Sequence, residues 1–145
     1  MSTEENERIV RRYIEEAWNR GNVSVVDELM APGYKRHVNG CPTPLTRDAH
    51  KQRLLRIRRA LPDVRLTIED LIAAGDRVVS RLTLRGTQHE TFMGIPPTGR
   101  RVTITGIDIA RLSDGRIVEQ WAEMDTLGLI QQLGALPQHV LVAAR

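Results

Sequence analysis

Asp125 closes the run Trp121-Ala122-Glu123-Met124-Asp125, and Leu127, Leu129 and Ile130 follow it. On a strand, Trp121, Glu123 and Asp125 share one face because successive side chains alternate. A carboxylate set among apolar residues is costly unless it is paired or used. Burial of such a group suits it to general acid/base work. The competing role is structural, since Asp is a favoured helix N-cap and an apolar helical pattern opens at Thr126. Asp108 stands inside Ile107-Asp108-Ile109-Ala110. Asp is depleted in strands, so it is either a second pocket carboxylate or a cross-strand partner for an arginine.

His37 follows Lys35 and Arg36 in a short extended segment, where an imidazole can orient a substrate or shuttle a proton; a plain surface histidine is the alternative. Tyr13 and Trp18 lie on an apolar helical stripe. A phenol facing a pocket can donate to a developing enolate, whereas aromatics at this spacing also serve as core. Gln88 and His89 open a long loop that reaches over a pocket mouth or stays in solvent. His50 sits in a basic helix and reads as exposed, and His139 has no role. Cys41 has no histidine or helix start coupled to it that would make it a nucleophile.

These residues need elements to hold them. Ser2 and Glu5 form a capping-box pattern. Ile9, Val10, Tyr13, Ile14, Ala17 and Trp18 then recur at helical spacing, which predicts a helix over 4–19. A short helix runs through Val25, Val26, Leu29 and Met30, with Asn22 as its cap, until Ala31-Pro32-Gly33 breaks it. Tyr34 to Val38 is extended and residues 39–44 are a loop. Thr46 caps a third helix that reaches about Ala60. Alternation then predicts strands from Val64 to Glu69, Arg77 to Thr87, Arg101 to Leu112 and Arg116 to Met124. Turns fall at Ala74-Gly75-Asp76 and Ser113-Asp114-Gly115, the loop 88–100 lies between, and a closing helix spans 126–133. Three helices followed by antiparallel strands make an α+β fold. A curved sheet wrapped around helices encloses a hollow, a natural ligand site.

The chain has 145 residues, enough for one domain over 1–145. Its five aromatics (two Trp, two Tyr, one Phe) argue against a stacking platform for single-stranded nucleic acid. No run is long and apolar enough to cross a bilayer. The acidic N-terminus lacks a secretory hydrophobic segment, so a cytoplasmic location is expected. A single cysteine forbids an internal disulfide framework. No zinc-ligand spacing or phosphate loop occurs, so neither metal nor cofactor is expected. The net charge is +3, yet nine basic residues fall between Lys35 and Arg65 against Asp48 and Asp63 alone. That reads as a solvated face or, less simply, a nucleic-acid surface.

The stretches Phe92-Met93-Gly94-Ile95-Pro96-Pro97-Thr98-Gly99-Arg100, Thr105-Gly106-Ile107-Asp108-Ile109, Asp114-Gly115-Arg116-Ile117-Val118-Glu119-Gln120-Trp121 and Leu127-Gly128-Leu129 together resemble the SnoaL-like polyketide cyclases, also called ester cyclases. Trp18-Asn19-Arg20-Gly21-Asn22 and Leu61-Pro62-Asp63 extend the resemblance from about Asn6 to Ala135. It implies an α+β cone of the nuclear-transport-factor-2-like type, with a curved antiparallel sheet around three N-terminal helices, and often a homodimer. It implies ring closure of a polyketide-like ester or ketone by an intramolecular aldol reaction, without metal or nucleotide. The family's acid/base aspartate lies at the end of the last long strand, a position matched here by Asp125. Asp108 and His37 would then be supporting groups. Tyr13, Trp18, His89, Phe92, Met93, Ile95, Trp121 and Glu123 would contact the substrate.

Three other readings stand beside this one. Epoxide hydrolysis needs two aspartates bridged by an arginine, and Gly106 occupies the arginine's expected place. An enone isomerase would use Tyr13 as donor. A non-catalytic binding or dimerisation module would use Asp125 only as a cap.

Overall fold

The computed structural model describes residues 2–135. The 136–145 tail, with His139 and the apolar residues 140–144, lies outside them. Helix α1 spans Thr3–Tyr13 and opens with the capping box: Ser2 Oγ accepts from the Glu5 N–H at 3.1 Å, and Glu5 Oε2 from the Ser2 N–H at 3.3 Å. The expected single helix over 4–19 is not uniform. From Ile14 to Asn19 it widens into a π-helical turn, and the Arg20 N–H reaches back to the Glu15 carbonyl at 3.0 Å. Such turns gather at functional sites.

Helix α2 is Val25–Leu29, and strand β1 follows at once as Met30–Val38. The break expected at Ala31-Pro32-Gly33 is therefore strand. Its pairing skips between Met30 and Lys35, and such an irregularity tolerates a proline, which has no N–H to give to a ladder. Asn22 does not cap α2; its Oδ1 accepts from Ser24 Oγ at 2.6 Å. After β2 (Leu45–Thr46) comes α3 (Arg47–Ala60), capped as expected by Thr46 Oγ1, which accepts from the Ala49 N–H at 3.1 Å.

The remaining strands are β3 (Arg65–Ala74), β4 (Arg77–Thr87), β5 (Arg101–Ser113) and β6 (Arg116–Met124), and α4 (Thr126–Gln132) follows. They join β1 and β2 in one curved, unclosed six-stranded sheet of order β2-β1-β6-β5-β4-β3. The sheet is antiparallel except where β1 runs parallel to β6. A purely antiparallel sheet was expected. The difference arises because β1 is not hairpin-linked to its neighbour and meets it only through a long crossover. Asp114 and Gly115, at φ 51° and 77°, form the tight β5–β6 turn.

Helices and sheet press their apolar faces together. Val10, Tyr13, Ala17 and Trp18 meet Leu54, Ile57, Val78, Leu82, Val102, Ile104 and Ala110 in one core. Between the layers the packing stops short and leaves a hollow.

Candidate active site

The hollow is a cavity of about 540 Å³. Apolar side chains from every layer line it, among them Val10, Ile14, Leu66, Leu82, Ile104 and Met124. At one end the strands turn polar side chains inward. Arg36 on β1, Asp108 on β5 and Gln120 on β6 all line the cavity and are buried.

Gln120 organises this group. Its Nε2 donates to Asp108 Oδ1 at 2.9 Å. Its Oε1 accepts from the Tyr34 hydroxyl at 2.5 Å and from Arg36 Nη1 at 3.0 Å. Arginine only donates and a carboxylate only accepts, so the amide can sit in one orientation. Arg36 Nη2 lies 3.5 Å from Asp108 Oδ2, and Arg36 Nε is buried without a partner. Burial raises the Asp108 pKa; Arg36 and the Gln120 hydrogen bond restrain the rise.

A second polar group faces it from the helices. Trp18 Nε1 donates to the Tyr13 hydroxyl at 2.9 Å, and His50 Nε2 lies 2.7 Å from the same oxygen. The π turn makes the first contact possible, because its wider winding brings a residue nearer in angle to the one five positions earlier. Burial, then the charges of Arg36 and Arg53, hold His50 well below its ordinary pKa, so the ring is neutral. Its Nδ1 is buried and unpartnered. An orphaned N–H is rarer and costlier than an orphaned lone pair, which puts the proton on Nε2. Tyr13 then accepts two hydrogen bonds and keeps its own proton free for the cavity. Burial also raises the Tyr13 pKa, so the phenol stays protonated.

Several expected site residues are elsewhere. Asp125 is exposed and absent from the cavity lining. Its Oδ1 accepts from the Gly128 N–H at 2.9 Å and caps α4. A Cβ at Gly128 would lie 2.2 Å from Asp125 Oδ2, so any larger residue there would force the capping carboxylate to shift. Trp121, Glu123 and His37 are on the outer face of the sheet. His37 stacks on Trp121 with ring centroids 5.4 Å apart, and its Nε2 pairs with Glu119 Oε2 at 2.7 Å. Arg77 covers the same indole at 5.2 Å.

Tyr13, Trp18, Phe92 and Met93 do line the cavity, whereas His89 and Ile95 do not. Gln88 is buried as a loop staple, with Nε2 donating to the Ile95 carbonyl at 2.9 Å and Oε1 accepting from Thr98 Oγ1 at 2.7 Å. His50, expected to be exposed, is fully buried. It shares a helix face with Leu54 and Ile57, and that spacing was the available signal. The α3 cations are also not a plain solvated surface. Lys51 Nζ pairs with Asp27 Oδ2 at 2.5 Å, Arg58 bonds the Trp18 carbonyl, and Arg53, Arg56 and Arg59 line the cavity.

Among the described residues no helix is long and apolar enough to cross a membrane. Nor is there among them a cluster of three or more His, Cys, Asp or Glu side chains able to hold a metal.

A six-stranded curved sheet around N-terminal helices, hollow at its centre, defines a nuclear-transport-factor-2-like cone. The pattern of the SnoaL-like polyketide cyclases matches residues 8–133, and the chain belongs to that family. TsrD from Streptomyces laurentii is 31% identical, with a TM-score of 0.84 over 94% of this chain and 99% of that one. IdmH from Streptomyces antibioticus, a candidate polyketide cyclase, is 33% identical, with a TM-score of 0.80 over 89% and 98%. AclR from Streptomyces galilaeus, a candidate hydroxylase, is 28% identical, with a TM-score of 0.84 over 94% and 100%. Among curated proteins none matches the chain.

Proposed function

We propose that this chain closes a ring in a polyketide-like ester or ketone by an intramolecular aldol reaction, with Asp108 as the acid/base group. The observation that carries the reading is a buried carboxylate of raised pKa in an apolar cavity, with a protonated phenol lining the same space. Asp108 takes a proton from the carbon beside a carbonyl. The Tyr13 hydroxyl donates to the enolate oxygen that forms. The enolate carbon then attacks a second carbonyl of the same molecule, making the new C–C bond. Asp108 returns its proton to the resulting alkoxide, so the reaction is a net isomerisation.

Arg36 and Gln120 are positioning residues, fixing the Asp108 carboxylate and moderating its pKa. Asp125 is assigned to the α4 cap. An epoxide hydrolase would want a second aspartate in the cavity, and Asp108 is the one aspartate lining it among the described residues. The proposal includes a small-molecule substrate and a homodimer, the latter tested by light scattering.

The first step can be tested without the natural substrate. The chain should accelerate deuterium exchange at the α-carbons of 2-tetralone, followed by NMR, and Asp108→Asn should remove the acceleration. Equal exchange with the two proteins, both folded, overturns the assignment.

A further inference from the structure

The inner cavity holds more positive charge than its own carboxylate matches. Arg36 and Arg53 both line it, from β1 and α3, and the Arg36 charge lowers the Arg53 pKa. Only Asp108 opposes them there. Arg53 is half-buried and has no hydrogen bond or ion pair among the described residues. Burial, then the Arg36 charge, pushes its pKa down to about 10, so it remains a cation at neutral pH. Arg36 keeps its buried Nε unpaired. The remaining charged lining residues, Arg56, Arg59 and Glu90, are exposed. A half-buried guanidinium without a counter-charge is costly, and a planar fork of N–H donors matches a carboxylate in two parallel bonds.

Building on the acid/base reading above, we infer that the substrate is a monoanionic organic acid, an apolar body bearing one free carboxylate that Arg53 holds beside Arg36. The single excess charge favours a monoanion over a phosphate. The carboxylate is bound away from the carbon that loses its proton, because a neighbouring anion opposes enolisation. The alternative use of the excess charge is to stabilise the enolate oxygen alone, in which case a neutral substrate would bind as well as an acid.

Isothermal titration of the full chain with anthraquinone-2-carboxylate and with its neutral methyl ester separates the two. The acid should bind about ten-fold tighter than the ester, and the margin should shrink as salt is raised. Arg53→Gln should remove that margin while leaving ester affinity within about two-fold, and Arg53→Lys should keep most of it. Asp108→Asn removes the opposing charge, so it should tighten the acid and leave the ester unmoved. Ester binding equal to acid binding, parallel losses in Arg53→Gln, or no binding of either compound by folded protein each overturn the inference. Turnover is not the readout. If Asp108→Asn kept its exchange activity, the catalytic assignment would fail and the acid preference would still stand.

Discussion

Gln120 Nε2 donates to Asp108 Oδ1 at 2.9 Å while its carbonyl oxygen receives both Tyr34 and Arg36. One amide thus joins three strand-borne groups that would otherwise be buried with fewer partners. Gln120→Leu leaves the Tyr34 hydroxyl, one Arg36 N–H and one Asp108 oxygen without it. Each unsatisfied buried group costs about 1–3 kcal/mol, so a loss of at least about 2 kcal/mol is expected in urea unfolding. Full stability in this variant would show that water or a neighbour replaces the amide.

Asp108→Asn and Asp125→Ala should separate catalysis from capping. The first should lower 2-tetralone exchange by about 10²- to 10⁴-fold, the usual worth of a general base, in protein that circular dichroism shows to be folded. The second should leave exchange unchanged and cost about 1 kcal/mol, the usual worth of an N-cap. The reverse pattern would move the chemistry to the end of β6.

Tyr13→Phe should lower kcat by about 10²- to 10³-fold, as removal of one oxyanion donor does. KM should change little, because the hydrogen bond matters most to the enolate. A rise in KM with kcat intact would make Tyr13 a binding group only.

The pH dependences of stability and activity have separate origins. His50 is neutral when folded, its pKa lowered by burial from the ordinary 6.5. Below pH 6.5 the unfolded chain therefore binds a proton that the folded chain refuses. Stability from this group is present above that pH and lost as pH falls, at up to about 1.4 kcal/mol per unit. His50→Gln should flatten the fall of Tm between neutral pH and pH 5. In the proposed mechanism activity depends on ionised Asp108, whose pKa is raised. The rate should therefore climb with pH through a midpoint above the ordinary 3.8, and Asp108→Asn should abolish that limb.

The strands were the most legible part of the sequence. β4 and β6 begin and end where alternation and turn residues place them. Which face points inward was less legible. Trp121 and Glu123 do share one side of β6, yet that side is the outer one, and Asp125 falls past the end of the strand as the α4 cap. The large indole stays outside because His37 and Arg77 cover it. The adjacent pair Arg36 and His37 shows the same ambiguity, since alternation sends one into the cavity and the other out. Histidine stands out on chemical grounds, whereas it is the arginine that lines the cavity. His50 was hidden by its basic neighbours, although its spacing to Leu54 and Ile57 marks a buried face. The π turn had no signal of its own, because an extra residue per turn reflects how the helix fits the sheet.

The parallel seam between β1 and β6 also sets when the site can come into being. Arg36 and Gln120 are 84 residues apart in the chain. Closing so long a loop carries an entropic cost that must be met before the contact rewards it, and such distant pairings form slowly. On the ribosome, Arg36 and Tyr34 are made early and wait for β6 to emerge before they meet the amide that pairs them. A nascent chain halted before Arg116 lacks Gln120 and so cannot join Tyr34, Arg36 and Asp108, which makes this group among the last parts of the molecule to be assembled.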